Sequence, residues 1–302
     1  MIEFSRIYKS YGDEVAVDNI NFSVDEGELF GLIGPDGAGK TTLFRMLTTL
    51  ILPDKGEIRL ANKNVVEDFR FVRSNVGYMP GTFSLYQDLS VEENLNFFAT
   101  LFNTSIEENY DLIRDIYIQI EPYKKRRAGA LSGGMKQKLA LSCALIHKPL
   151  VLVLDEPTTG VDAVSRKEFW EMLSRLKEGG LTILVSTAYM DEATLCDRVA
   201  LIQNGQILNI NTPQGIVNAF DKQLIEVSHH SKYHLLQHLQ NRFGTKRVQP
   251  FGDKMHVSLL PDENEQMIKD CLLEAGIDGA EIAKGTPTVE DCFMDLMIDT
   301  HG

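Results

Sequence analysis

Nine consecutive residues constrain this chain more than any other stretch: Gly34-Pro35-Asp36-Gly37-Ala38-Gly39-Lys40-Thr41-Thr42. They satisfy G-x-x-x-x-G-K-[ST], with Gly34, Gly39, Lys40 and Thr41 at the fixed positions. A glycine-rich backbone can wrap so that successive N–H groups point inward, forming an anion cradle that ends at a helix N-terminus. Lys40 is then within reach of the β- and γ-phosphates of a nucleotide, and the Thr41 hydroxyl can ligate Mg²⁺. The flanks agree. Glu28-Leu-Phe-Gly-Leu-Ile33 is a buried-strand run, and Leu43-Phe-Arg-Met-Leu-Thr-Thr-Leu50 has helical apolar spacing. Strand, glycine loop and helix, in that order, commit this part of the chain to an α/β fold with a nucleotide-phosphate site.

Two further stretches bear on the same chemistry. Leu150-Val-Leu-Val-Leu-Asp155-Glu156-Pro157 is an unbroken apolar strand, the pattern of a parallel strand buried on both faces. It delivers Asp155 and Glu156 at its C-terminal end, where open α/β sheets place their ligands. Asp155 is suited to hold Mg²⁺ and Glu156 to polarise an attacking water. Leu131-Ser132-Gly133-Gly134-Met135 opens a helix that runs to about Ile146, so its two glycines make a second backbone concavity for an anion. A chain with one nucleotide has no use for two such sites, unless the second serves a nucleotide held by another subunit.

The rest of the chain is organised around these motifs. Residues 2–27 read as antiparallel strands and hairpins: Ile2-Glu-Phe4, Ile7-Tyr8, Val15-Ala-Val17 and Ile20-Asn-Phe-Ser-Val24. Tyr11, in the first turn, either stacks on an adenine ring or packs the hairpin. Strands are expected at Glu57–Leu60, Val76–Met79 and Leu181–Ser186, with a hairpin through Asn204-Gly205. Residues 91–126 read as mostly helical, with Ser90 and Glu93 as a capping box at the start. Beyond about residue 220 the pattern changes to strands at 224–227, 255–259 and 280–282 and helices at 232–243 and 262–275, a small α+β unit. His230, His234 and His238 fall at i, i+4 spacing there, but no carboxylate or cysteine is placed to complete a metal site. Thr288 to Leu296 reads as an amphipathic helix that docks on its own chain.

Composition narrows the function classes. A net charge of −13 argues against a nucleic-acid partner. Lys124-Lys-Arg-Arg127 reads as a solvated surface turn. Cys143, Cys196, Cys271 and Cys292 are far apart, with no C-x-x-C pair, which suggests reduced, buried thiols. No secretory leader pattern is evident, and no apolar run approaches the roughly 18–20 residues that span a bilayer. Any membrane role therefore requires another polypeptide to do the spanning.

Taken together, the phosphate loop, Leu131-Ser-Gly-Gly-Met135, Leu154-Asp-Glu-Pro157 and Gly160-Val-Asp162 make residues 1–220 resemble the ATP-binding cassette family, the nucleotide-binding subunits of ABC transporters. Gly-Pro-Asp-Gly-Ala-Gly-Lys-Thr-Thr and Ser-Thr-Ala-Tyr-Met-Asp-Glu-Ala look most like the drug- and daunorubicin-export type, which works with ABC-2-type permeases. The resemblance implies an α/β P-loop NTPase cassette with a mixed β core, a helical subdomain at about 81–148 and an antiparallel β subdomain, followed by a C-terminal α+β accessory domain at 221–302. It implies ATP and Mg²⁺, and a location on the inner face of the membrane beside a permease. It also implies a head-to-tail dimer in which Ser132, Gly133 and Gly134 close over ATP held by another cassette.

Two positions depart from the family pattern. The family usually has glutamine after Tyr-Met-Pro, where this chain has Gly81; that glutamine helps ligate Mg²⁺. It usually has histidine in Ser-Thr-His-Tyr-Met, where this chain has Ala188; that histidine contacts the γ-phosphate. The resemblance therefore leaves two readings of the mechanism, a homodimeric export ATPase and an asymmetric pair with a second, fully equipped cassette. A non-transport ABC protein of translation or DNA repair is disfavoured, because paired cassettes in one chain and long coiled-coil inserts are both missing.

Overall fold

The computed structural model describes residues 1–299, and the two unbroken apolar runs, Leu29–Ile33 and Val151–Asp155, are fully buried strands of one sheet. The chain divides into two units, Met1–Thr212 and the remainder from Pro213. The first unit runs β1 (Ile2–Tyr11), β2 (Glu14–Val24), β3 (Leu29–Ile33), α1 (Lys40–Leu47), β4 (Lys55–Leu60), β5 (Lys63–Asn64), α2 (Phe69–Asn75) and β6 (Val76–Met79). It continues through α3 (Val91–Leu101), α4 (Tyr110–Tyr117), α5 (Gly133–Leu145), β7 (Val151–Asp155), α6 (Ala163–Glu178), β8 (Thr182–Thr187), β9 (Arg198–Gln203) and β10 (Gln206–Asn211).

Two sheets result. The six-stranded sheet has the order β10-β9-β3-β8-β7-β6, with β10 antiparallel to β9 and every other neighbour parallel. The four-stranded sheet β2-β1-β4-β5 is antiparallel throughout. Between them lies one core, in which Leu43, Phe44 and Leu47 of α1 meet Ile7, Ile20, Ile58 and Val153. Phe4, Phe22 and Phe30 stack in series at 4.3 and 5.4 Å between ring centroids, joining the antiparallel sheet to the mixed one. Each fully buried phenylalanine contributes about 1.5–3 kcal/mol from apolar area alone. Helix α5 packs against both α3 and α4, and the three make the helical part of the unit. At the head of α3, Ser90 and Glu93 close the expected capping box.

The N-terminal strands differ from the sequence reading. The apolar runs predict four short strands, and two long ones are present. Arg6 (φ +52) and Asn19 (φ +49) interrupt the register of β1 with β2 without ending either strand. These local bulges broke the apolar alternation on which the reading relied.

The second unit comprises α7 (Pro213–Asn218), β11 (Gln223–Ser228), α8 (Lys232–Phe243), β12 (Val248–Phe251), β13 (Lys254–Leu259), α9 (Glu265–Glu274), β14 (Glu281–Lys284) and α10 (Val289–Asp299). Its antiparallel sheet has the order β12-β13-β11-β14. Strand–helix–strand–strand–helix–strand in that order is the split βαβ arrangement. Ile225, Val227, Leu239, Phe243 and Val257 share its core with α9. On the other face of β13, His256 meets Asp291 of α10 at 2.8 Å. Sequence reading missed β12, where Pro250 and an exposed Phe251 mask the alternation of an edge strand.

Candidate active site

The phosphate loop runs from the end of β3 into α1, and its glycines serve different ends. Gly34 passes so close to β9 that a Cβ would stand 2.1 Å from the Ile202 carbonyl oxygen. Gly39, the N-cap of α1, has φ +104, and a Cβ there would lie 2.6 Å from the Ala16 carbonyl oxygen. The first N–H groups of α1 have no partner in their own helix, Gly39 offers them no side-chain cap, and Lys40, Thr41 and Thr42 line the cavity. That arrangement fits an anion. The cavity, about 680 Å³, is lined by Asp36 to Thr42, by Tyr11 and Ala16 of the β1–β2 hairpin, and by Tyr78, Gly81, Asp155 and Glu156.

Lys40 is 3% exposed. Its ammonium donates to the Gly34 and Pro35 carbonyls at 2.7 and 2.9 Å and pairs with Glu156 Oε1 at 3.1 Å. Asp155, at the end of β7 and also 3% exposed, accepts from Thr41 Oγ1 at 3.1 Å and from Ser186 Oγ at 2.7 Å. Two hard oxygen ligands, the Thr41 hydroxyl and the Asp155 carboxylate, thus stand side by side, a donor set suited to Mg²⁺. Glu156 is held through its backbone, whose N–H donates to the Ser186 carbonyl and hydroxyl at 3.1 and 3.0 Å. Its φ of +48 is left-handed, a conformation that costs a non-glycine residue about 1–2 kcal/mol. Tyr78 also lines the cavity. Burial and the Asp155 carboxylate push it up to about 12 against the pull of Arg45, so it stays a neutral hydroxyl at physiological pH.

The remaining sequence candidates fall in three places. Tyr11 is 49% exposed on the cavity wall, its ring 5.7 Å from the Lys9 ammonium. Gly34 and Pro35 lie behind the cavity, as acceptors for Lys40. Ser132, Gly133 and Gly134 do not line the cavity at all. Ser132 caps α5, and the two glycines face the Gly160 carbonyl and the Ser165 side chain. Of the departures from the family pattern, Gly81 is in the cavity wall, where a Cβ would be 3.1 Å from the Asp155 carbonyl oxygen. Ala188 follows Thr187, whose carbonyl accepts from Gly34 N–H at 3.2 Å, but is not part of the lining. Sequence reading missed Ser186, Arg45 and Tyr78. For Ser186 a signal existed: together with Thr187 it is a polar pair closing the apolar run Ile183–Val185, as Asp155 and Glu156 close theirs.

A strand–phosphate-loop–helix with a buried aspartate on the Thr41 hydroxyl and an adjacent glutamate on the lysine defines a P-loop nucleoside-triphosphate-binding cassette. The family pattern described as ABC transporter matches residues 17–159. The probable multidrug ABC transporter ATP-binding protein YbhF of Escherichia coli (strain K12) is 38% identical over 218 residues, 72% of this chain and 38% of that protein's length. The Nod factor export ATP-binding protein I of Rhizobium sp. (strain N33) is 34% identical over 300 residues, 98% of this chain and 96% of that one. A solved ATP binding subunit of an ABC transporter superposes with a TM-score of 0.66 at 27% identity, covering 72% of this chain and 92% of that chain. The chain belongs to the ABC transporter family, among its ATP-binding subunits.

Proposed function

We propose that the chain binds and hydrolyses Mg-ATP to drive export through a separate membrane permease. The observation that carries this is the convergence of Lys40, Thr41, Asp155 and Glu156 on one cavity at the N-terminus of α1. In this reading the first unit is the cassette and the unit from Pro213 onward is accessory. Asp36 to Thr42 cradle the phosphates, Lys40 meets the β- and γ-phosphates, and Tyr11 supports the adenine. Thr41 and Asp155 hold Mg²⁺, which neutralises phosphate charge when bound. Glu156 orients a water and accepts its proton. Export is what the name of the Rhizobium relative describes, the Escherichia coli relative is named as a multidrug transporter subunit, and the ABC-2-type permease follows from the resemblance. Among the described residues no helix is long and apolar enough to cross a membrane. In this reading the chain sits peripherally on the inner face of the membrane, against the permease. The test is ATP turnover by the purified chain, which Glu156→Gln should abolish; unchanged turnover in that variant would remove Glu156 from the chemistry.

A second reading concerns symmetry, and it is favoured by Gly81, which lines the cavity where the family pattern has glutamine. In it the chain pairs with a second, unlike cassette. Its own phosphate loop holds ATP with slow turnover, while its Leu131–Met135 segment completes the partner's site. Robust turnover by the chain alone overturns this reading.

A further inference from the structure

Glu192 stands on the 3₁₀ turn Met190–Leu195 after β8, 2% exposed, and its Oε2 has no hydrogen-bond partner. The other oxygen accepts from Thr158 Oγ1 at 2.8 Å. Arg166 of α6 reaches that same oxygen only at 3.9 Å; its closer contact is Asp191 at 3.3 Å, and its guanidinium lies 5.1 Å from the Tyr189 ring centroid. A buried carboxylate with one short hydrogen bond and one long ion pair is a poor stabiliser compared with an apolar residue of the same size. What it does accomplish is to fix Thr158.

Thr158 is 1% exposed and lies two residues past Glu156. The left-handed backbone of Glu156 persists only if its surroundings over-determine it. Upstream the anchor is Ser186, through the Glu156 N–H. Downstream, Thr159 N–H donates to the Glu156 carbonyl and Val161 N–H to the Thr158 carbonyl, both at 3.2 Å. Glu192 ties this downstream turn to the 3₁₀ segment that follows β8. The same turn carries Gly160, whose carbonyl lies beside Gly133 at the head of α5.

We infer that Glu192 is a positioning residue, whose buried carboxylate clamps Thr158 so that the turn after β7 presents Glu156 to the phosphate cavity and Gly160 to Gly133. The inference rests on the hydrolytic reading of that cavity. Its test compares the full chain with Thr158→Val, Glu192→Ala and Glu192→Gln, in three measurements: Mg-ATP dissociation constant, kcat, and hydrogen exchange of the 156–162 segment. Thr158→Val keeps the shape and removes the donor, and Glu192→Gln keeps an acceptor oxygen. We expect Thr158→Val and Glu192→Ala each to lower kcat by about tenfold or more, as small misplacements of a catalytic group do. Exchange of 156–162 should rise in both, with less than about a threefold change in ATP affinity, and their double variant should be no worse than either single one. Glu192→Gln should return kcat to within about threefold of the parent chain. Parent-like exchange and kcat in Thr158→Val, or parallel losses of affinity and kcat, would overturn the clamp. Should Glu192→Ala fail to fold, the near-isosteric Thr158→Val carries the test. A parent chain that binds Mg-ATP without turnover overturns the hydrolytic reading instead, and the exchange comparison then decides the clamp by itself.

Discussion

Lys40 and Glu156 form an ion pair of 3.1 Å inside the phosphate cavity, the lysine side chain 3% and the glutamate 22% exposed. Glu156 Oε1 thereby occupies a coordination position on the ammonium that a phosphate oxygen would need. Replacing the carboxylate by an amide strips the charge from that competitor, leaving a weaker neutral acceptor, and takes away the proposed proton acceptor. Glu156→Gln is expected to bind ATP several-fold more tightly while turnover falls on the order of 10²–10⁴-fold. Equilibrium binding and single-turnover hydrolysis, measured on the same preparation, separate the two effects; weaker ATP binding in the variant would contradict the competition.

The two departures from the family pattern differ in how easily they can be reversed. Ala188 is half-buried beside the loop, whereas a side chain at Gly81 begins 3.1 Å from the Asp155 carbonyl oxygen. A contact that tight displaces the backbone that holds Asp155 and Glu156. Ala188→His is therefore expected to raise turnover by about tenfold or more, and Gly81→Gln alone by much less. Steady-state hydrolysis by the two variants gives the ranking, and a larger gain from Gly81→Gln would show that the wall yields.

Asp155 accepts from both Thr41 and Ser186. Asparagine there keeps the shape but removes the charge on which a divalent cation depends. Asp155→Asn is expected to lose on the order of 10²-fold or more in Mg²⁺-dependent turnover, and chelation of Mg²⁺ should abolish turnover in the parent chain. Titration of activity against Mg²⁺ checks this; an unchanged half-saturation point would exclude Asp155 as a ligand.

In the second unit, burial pushes the Asp291 carboxyl up, but hydrogen bonds from His256 and Thr288 outweigh it and hold the group below its ordinary value. A folded-state pKa depressed in this way stabilises the unit above the unfolded value, about 3.9, and the contribution is lost as pH falls through the lower folded value. Asp291→Asn should cost about 2–3 kcal/mol near neutral pH and flatten the acid limb of the stability curve below pH ~4. Calorimetric melting between pH 3 and 7 measures both, and a parallel displacement of the whole curve would place the stabilisation elsewhere.

Much of the fold was legible because its signals are local. A nine-residue loop pattern, the period of an apolar run and a Ser-x-x-Glu capping box all act within a few residues of one another. Hence β3, β7 and α8 fell where the sequence placed them. Elements with weak or interrupted periodicity did not. The bulges at Arg6 and Asn19 hid the continuity of β1 and β2, and the edge strand β12 was lost behind Pro250.

For the phosphate loop itself, the amino-acid sequence by itself determined that a glycine loop joins a buried strand to a helix and that Asp155 and Glu156 end another buried strand. It also determined which positions lack a functional side chain, Gly81 and Ala188. Tertiary structure alone decided that Ser186 bridges Asp155 and the Glu156 backbone, that Lys40 rests on Glu156, and that Glu192 grips Thr158. It likewise kept Ser132, Gly133 and Gly134 out of the cavity their own chain builds. The physical reason is separation. These contacts join residues 30 or more positions apart, brought together by parallel strand register and helix packing, and no local period of 2 or 3.6 residues encodes which strand becomes whose neighbour.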